Sequence, residues 1–169
     1  MVVNLRKALV AAAAVMLASA FLLWMLRDDE AGRVRKRFDE LADLAEVAPG
    51  AHIIATGLAS SNLGELFTDP ATLRTPLYDL GGGAYSRQQI VQNAAAIKGG
   101  CERLALEFID LKTHFPSPDT AVSTVTIRVR GTHRAAGSFD ETRELECRLV
   151  KEDGAWRFAD CTVVDVLVH

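Results

Sequence analysis

The hydrophobic period of this chain changes at Cys101, and that change constrains the fold more than any other feature. Beyond it Leu104, Leu106 and Phe108 alternate with polar or small residues, and Val125, Ile127 and Val129 alternate with Thr and Arg. A period of two belongs to strands that cover one face and wet the other. Turn-forming residues at Pro116-Ser117-Pro118-Asp119, Ala135-Ala136-Gly137 and Asp153-Gly154 cut this half into four long strands joined as an antiparallel meander. A two-residue last turn sets Leu149 opposite Phe158 and Lys151 opposite Trp156.

Before Cys101 the period is helical. From Arg33 to Val47 the apolar residues Val34, Phe38, Leu41, Leu44 and Ala45 share one face, with Arg35, Lys36, Asp39, Glu40 and Asp43 on the others. Ala48-Pro49-Gly50 stops that helix. A second is expected over Ala51 to Phe67, built on Ile54, Leu58, Leu66 and Phe67, weakened by Gly57 and Gly64 and closed by Thr68-Asp69-Pro70. Ala71 to Leu80 has strand character interrupted by Pro76, and Gly81-Gly82-Gly83 turns the chain. Ser86 and Gln89 form a capping box that opens a third helix over Arg87 to Lys98, ended by Gly99-Gly100.

Ala8 to Leu26 is a run of 19 uncharged residues, about 28 Å long as a helix and close to the thickness of a bilayer core. Arg6 and Lys7 precede it, and Ala18-Ser19-Ala20 has the form of a signal-peptidase site. Cleavage there would leave Phe21 to Leu26 as an apolar new terminus, so the run is read as an uncleaved transmembrane anchor. The chain then divides into a tail and anchor, 1–27, and a folded domain, 28–169. Five basic residues (Arg27, Arg33, Arg35, Lys36, Arg37) follow the run against two before it, which by count favours a cytoplasmic domain. The export-type start argues the other way, and the expectation is a periplasmic domain. All 22 acidic residues lie beyond the run, so the domain is acidic and is not a nucleic-acid binder by charge. Three cysteines exclude a disulfide scaffold. Whether Cys147 and Cys161 pair depends on the register of the last two strands.

Two helices, a short strand pair, a third helix and four long strands make an α+β layout, with helices over one face of a curved antiparallel sheet. That order, with Leu66-Phe67-Thr68-Asp69-Pro70-Ala71 and the Gly154-Ala155-Trp156-Arg157-Phe158 close, resembles the nuclear-transport-factor-2-like (SnoaL-like) superfamily over roughly residues 31–167. The resemblance implies a cone-like roll whose open end is a pocket, used by some members for catalysis and by many for assembly. An anchored domain of this kind is similar in plan to a periplasmic scaffold subunit of bacterial type IV secretion machines. It implies a single-pass protein of a bacterial inner membrane, held through residues 8–26, that binds a protein partner or a second copy through its sheet face without catalysis. Strands Leu104 to His114, Val122 to Arg130 and Thr142 to Lys151 form that surface.

The alternative is a small enzyme or carrier acting on an apolar molecule in the cone. Enzymes of this superfamily place acid–base groups in an apolar cavity, where desolvation raises a carboxyl pKa towards neutrality. The polar groups available here are Asp69, Tyr78, Tyr85 and Asp110, but the core-facing positions of the first two helices carry Val34, Phe38, Leu41, Leu44, Ile54 and Leu58 rather than a proton-donating Tyr. Asp69 before Pro70 also reads as an ordinary turn, and Asp110 and Asp160 as bulge or solvent-face residues. His52, His114, His133 and His169 share no metal-ligand spacing, and Gly81 to Gly83 lacks a phosphate-loop fingerprint. No metal or cofactor is expected.

Overall fold

The computed structural model describes Val15 and residues 30–50, 61–74 and 82–164. The chain divides into two compact units, Met1–Arg33 and Val34–His169. In the first, Val15 is helical and exposed, and the rest of the apolar run lies outside the described residues. Among the described residues no helix is long and apolar enough to cross a membrane; the expected anchor, residues 8–26, lies outside that set apart from Val15.

Residues 30–45 are helical (α1) and 61–64 form a helical turn (α2). Then follow β1 (Phe67–Arg74), β2 (Gly83–Tyr85), α3 (Arg87–Gly100), β3 (Cys101–Ser117), β4 (Thr120–His133), β5 (Gly137–Glu152) and β6 (Ala155–Val164). The α1 face chosen by spacing is the buried one: Val34 and Phe38 are in the core, with Leu41 and Leu44 packed against it. Ser86 and Gln89 make both halves of the capping box at the start of α3. The meander is present, and its last turn is Asp153-Gly154, with Leu149 opposite Phe158 and Lys151 opposite Trp156 as expected.

Two expectations are corrected. Phe67 does not end a helix, and Thr68-Asp69-Pro70 does not close one. All four residues belong to β1, which carries a cis Asp69–Pro70 peptide and a register shift between Phe67 and Thr72. The irregularity lets a proline sit inside a strand, where it donates no ladder hydrogen bond. The sheet is mixed rather than antiparallel: its order is β2-β1-β6-β5-β4-β3, and β1 runs parallel to β6. A parallel pair needs a long crossover, here supplied by the whole chain between the two strands. The meander pattern carries no information about where the first strand docks. Of the three helices expected over the sheet, α1 and α3 are described in length, and residues 51–60 of the second lie outside the described set.

Bulges decide which side chains point inward. On β3 the register shifts between Ile109 and Lys112, and Asp110 takes the left-handed region at φ 55°, a conformation Asp tolerates better than most residues. The inward set therefore changes phase from Leu104, Leu106 and Phe108 to Leu111, Thr113 and Phe115. On β6 the shift beside Leu149 leaves Ala159 without a partner and brings Cys147 opposite Cys161. The two form a disulfide, with Cα atoms 4.2 Å apart. The two-residue turn alone would have put them on opposite faces.

Candidate functional site

The inner face of the sheet is apolar because alternation places Ala121, Val125, Leu145, Leu149, Trp156 and Phe158 on one side. Aromatic rings fill its centre. Phe38 of α1 meets Phe108 and Phe158 edge-on, with centroids 5.2 and 4.9 Å apart, and Phe158 lies 5.5 Å from Phe67. Phe115 lies 5.8 Å from Trp156. Leu106, Phe108, Leu111 and Phe115 on β3, an edge strand, are only half-buried, so the covering of this face thins towards that edge. A smaller cluster of Val47, Cys101 and Leu104 sits at the start of β3, where Val47 bridges to Leu104.

Three polar side chains are buried among the described residues: Thr68, Lys98 and Ser123. Thr68 Oγ1 donates to Pro70 O at 2.7 Å. Lys98 Nζ donates to Leu44 O at 2.7 Å, where the last carbonyls of α1 lack helical partners and favour a cation. Burial pushes the Lys98 pKa below its ordinary value. Ser123 Oγ shares a 2.9 Å hydrogen bond with Thr113 Oγ1 on the neighbouring strand. No carboxylate or imidazole is among the buried side chains of the described residues. Burial raises the Cys101 thiol pKa against the opposing pull of Arg134, so Cys101 is a free, buried, protonated thiol at neutral pH.

Among the described residues, Asp69, Tyr85 and Asp110 are not brought together. Asp69 is exposed on β1, and Tyr85, half-buried against the core, stands on β2 opposite Ala71. Asp110 is exposed in its bulge on β3, at the other edge of the sheet. Tyr78 lies outside the described residues. Asp160 faces outward, 3.6 Å from Arg74, and accepts from Thr162 Oγ1 at 3.3 Å. His114 is exposed, and His133 Nδ1 accepts from the backbone of Ala135 and Ala136 in the following turn. His52 and His169 lie outside the described residues. Among the described residues no cluster of metal-ligating side chains exists.

Two polar assemblies lie outside the core. An open cleft of about 390 Å³ is lined by Arg37, Glu40, Asp43, Leu44, Asn62, Glu65 and Leu66, and within it Arg37 is paired to Glu40 at 2.6 Å. Beside it Arg87 and Arg157 each approach both Glu65 and Glu152, at 3.5 to 3.8 Å. Arg157 also donates to the Glu65 carbonyl and Arg87 to that of Phe67, tying α2, β1, α3 and the last hairpin together.

The outer face of the sheet is charged. Arg128 donates twice to Asp140, at 2.9 and 2.6 Å, and Arg130 to Glu107 at 3.3 Å. Hydrogen bonding from Arg128 holds the Asp140 carboxyl below the usual carboxylate range. Ile109 and Val164 are the large apolar residues exposed there.

Sequence reasoning missed the Thr113–Ser123 pair, because Thr113 falls out of phase until the Asp110 bulge is known. It also missed the burial of Lys98, which requires knowing that the end of α1 lies against the end of α3.

Neither a protein-family profile nor a curated protein matches the chain. Solved structures do match its fold. A protein of the NTF2-like family from Streptomyces avermitilis, described as a candidate dehydratase, is 13% identical, with TM-score 0.66 over 84% of this chain and 99% of that one. A candidate scytalone dehydratase from Novosphingobium aromaticivorans is 13% identical, with TM-score 0.64 over 85% and 91%. The hexachlorocyclohexane dehydrochlorinase LinA, type 2, is also 13% identical, with TM-score 0.65 over 82% and 86%. At such identities the likeness establishes the fold, an α+β arrangement on a curved six-stranded mixed sheet like that of NTF2-like proteins.

Proposed function

We propose that the domain is a binding cone for a small apolar molecule, closer to a carrier than to an acid–base enzyme. The observation that carries this reading is the contrast between the two faces of the sheet. The inner face is apolar and thinly covered along β3, while the outer face, the surface an assembly module would use, already pairs its charges across strands. Surfaces that bury a protein partner are depleted of charge at their centre. Names of dehydratases and a dehydrochlorinase among the structural neighbours support a small-molecule ligand. Proton transfer would need an acid in the apolar interior, and the buried polar groups described are two hydroxyls and a lysine. The test is native mass spectrometry and sedimentation of the purified full chain. A stoichiometric small molecule on a monomer supports the proposal; a ligand-free dimer held through β3, β4 and β5 would overturn it.

The disulfide between Cys147 and Cys161 supports placing the domain outside the cytoplasm, since such bonds persist in oxidising compartments. With the uncharged run before it, this favours a bacterial inner-membrane protein with a periplasmic domain. A reporter active only outside the cytoplasm, fused after His169, tests the sidedness; an inactive fusion would reverse it.

A further inference from the structure

Arg157 Nε is a buried polar atom with no hydrogen-bond partner. The Glu152 carboxylate stands 3.5 Å from it, and the Glu65 carboxylate stands 3.5 Å from Arg157 Nη1. Arg87 spends its Nε on Phe67 O and leaves both Nη atoms 3.8 Å from the same two carboxylates, too far for hydrogen bonds. Charge-assisted bonds of this kind close to about 2.7–2.9 Å, and on the outer face Arg128 reaches Asp140 at 2.9 and 2.6 Å. Two guanidinium groups therefore share two carboxylates that fit neither of them closely. Glu65 is 68% exposed, against 17% for Arg157 and 30% for Arg87, so its side chain can swing into water while the arginines stay in place. Glu65 also lines the open cleft of about 390 Å³ formed by residues of α1 and α2. Its carboxylate thus borders the cleft and meets both guanidinium groups.

We propose that Arg87 and Arg157 form a binding site for the carboxylate of a small monocarboxylic acid whose apolar body lies in the cleft, and that Glu65 occupies this site in the free protein as an internal stand-in. With Glu65 swung out, two arginines face Glu152 alone, an excess of one positive charge that a single carboxylate balances. A planar carboxylate also matches the fork of a guanidinium group. Leu44 and Leu66 give the cleft its apolar surface, and Asn62 adds an amide. Glu40 is already paired to Arg37 at 2.6 Å, while Asp43 opposes a second negative charge on the ligand. The site lies outside the aromatic centre and does not depend on the reading of the domain as a cone.

The test is isothermal titration calorimetry of the full chain with phenylacetate, read against matched detergent without protein. Glu65→Ala is expected to bind phenylacetate saturably, at one per chain and about tenfold more tightly than wild type, in which the tethered carboxylate competes. Asp43→Ala removes a charge from the same cleft without freeing the arginines, and should change the affinity by less than about threefold. On Glu65→Ala the uncharged isostere phenylacetamide should bind at least about tenfold more weakly than phenylacetate. Adding Arg87→Met to Glu65→Ala should cancel the gain. Absence of saturable binding by Glu65→Ala overturns the site, and so does an equal gain in Asp43→Ala, which would mean that net charge alone governs the cleft. Equal binding of the acid and the amide overturns it without any arginine variant, and so decides the matter if Arg87→Met does not fold.

Discussion

Lys98 shows how a single side chain can be held in place at a cost. Its ammonium group satisfies Leu44 O and complements the end of α1, yet burial disfavours the charge and lowers its pKa. A lysine whose folded pKa lies below its unfolded value makes the folded state bind fewer protons than the unfolded state in the window between the two. Stability therefore rises with pH through that window, up to 10.5, and the burden is fully felt below it. Urea unfolding of wild type and Lys98→Met across this range should show wild type gaining on the variant as pH rises; parallel curves would mean that Lys98 is solvated. Gly131 poses a steric constraint instead. A Cβ there would meet Arg103 O and the Phe139 ring, both at 2.6 Å, so Gly131→Ala should lower the unfolding free energy by about 1–3 kcal/mol with an unchanged denaturant slope. Neither role is legible in sequence. Lys98 reads as a last-turn cation before Gly99-Gly100, and Gly131 as a strand glycine, because the atoms that constrain them come from distant segments.

At the scale of elements, the turns and alternation of β3 to β6 were legible because local chemistry fixes them, whereas the bulges were not. Asp153-Gly154 adopts the positive φ values a two-residue hairpin demands, 51° and 78°. Nothing near Ala159 announces a bulge, and the bulge there decides whether Cys147 meets Cys161. Deleting Ala159 removes the extra residue and leaves Cys161 opposite Cys147 in a regular ladder. Thiol titration of the unfolded, unreduced chain should then still count the single free Cys101. A count of three would mean that the pairing needs the bulged backbone itself. For the intact bridge, replacing both Cys147 and Cys161 by Ser should cost about 3 kcal/mol, the chain-entropy value for a loop of this length. The same kind of irregularity hid Asp69: an Asp-Pro pair after a helical pattern favours a turn, and only the pairing with β6 keeps β1 a strand.

The whole molecule is organised by one sheet with two unlike faces, and adjacent residues of β3 let each face be tested separately. Phe108 points inward against Phe38, while Ile109 points outward and is 37% exposed. Phe108→Ala removes a ring from the aromatic centre and should cost about 3 kcal/mol. Ile109→Glu places a charge beside Glu107, Arg128 and Arg130 on a face that already carries both signs, and should change stability by no more than about 0.5 kcal/mol. The same variant separates the two functions considered for the fold. A chain that assembles through its outer sheet would bury Ile109 at the contact and fall apart on gaining a charge there, whereas a cone that holds a small molecule would keep its mass and its ligand. Sedimentation of Ile109→Glu is expected to match wild type. The alternation around Cys101 made these faces assignable from sequence up to Ile109. Beyond it the Asp110 bulge reverses the assignment, and with it Thr113 passes from the solvent face to the inner face. That reversal explains why Asp110 is exposed while the hydroxyl pair of Thr113 and Ser123 lies within.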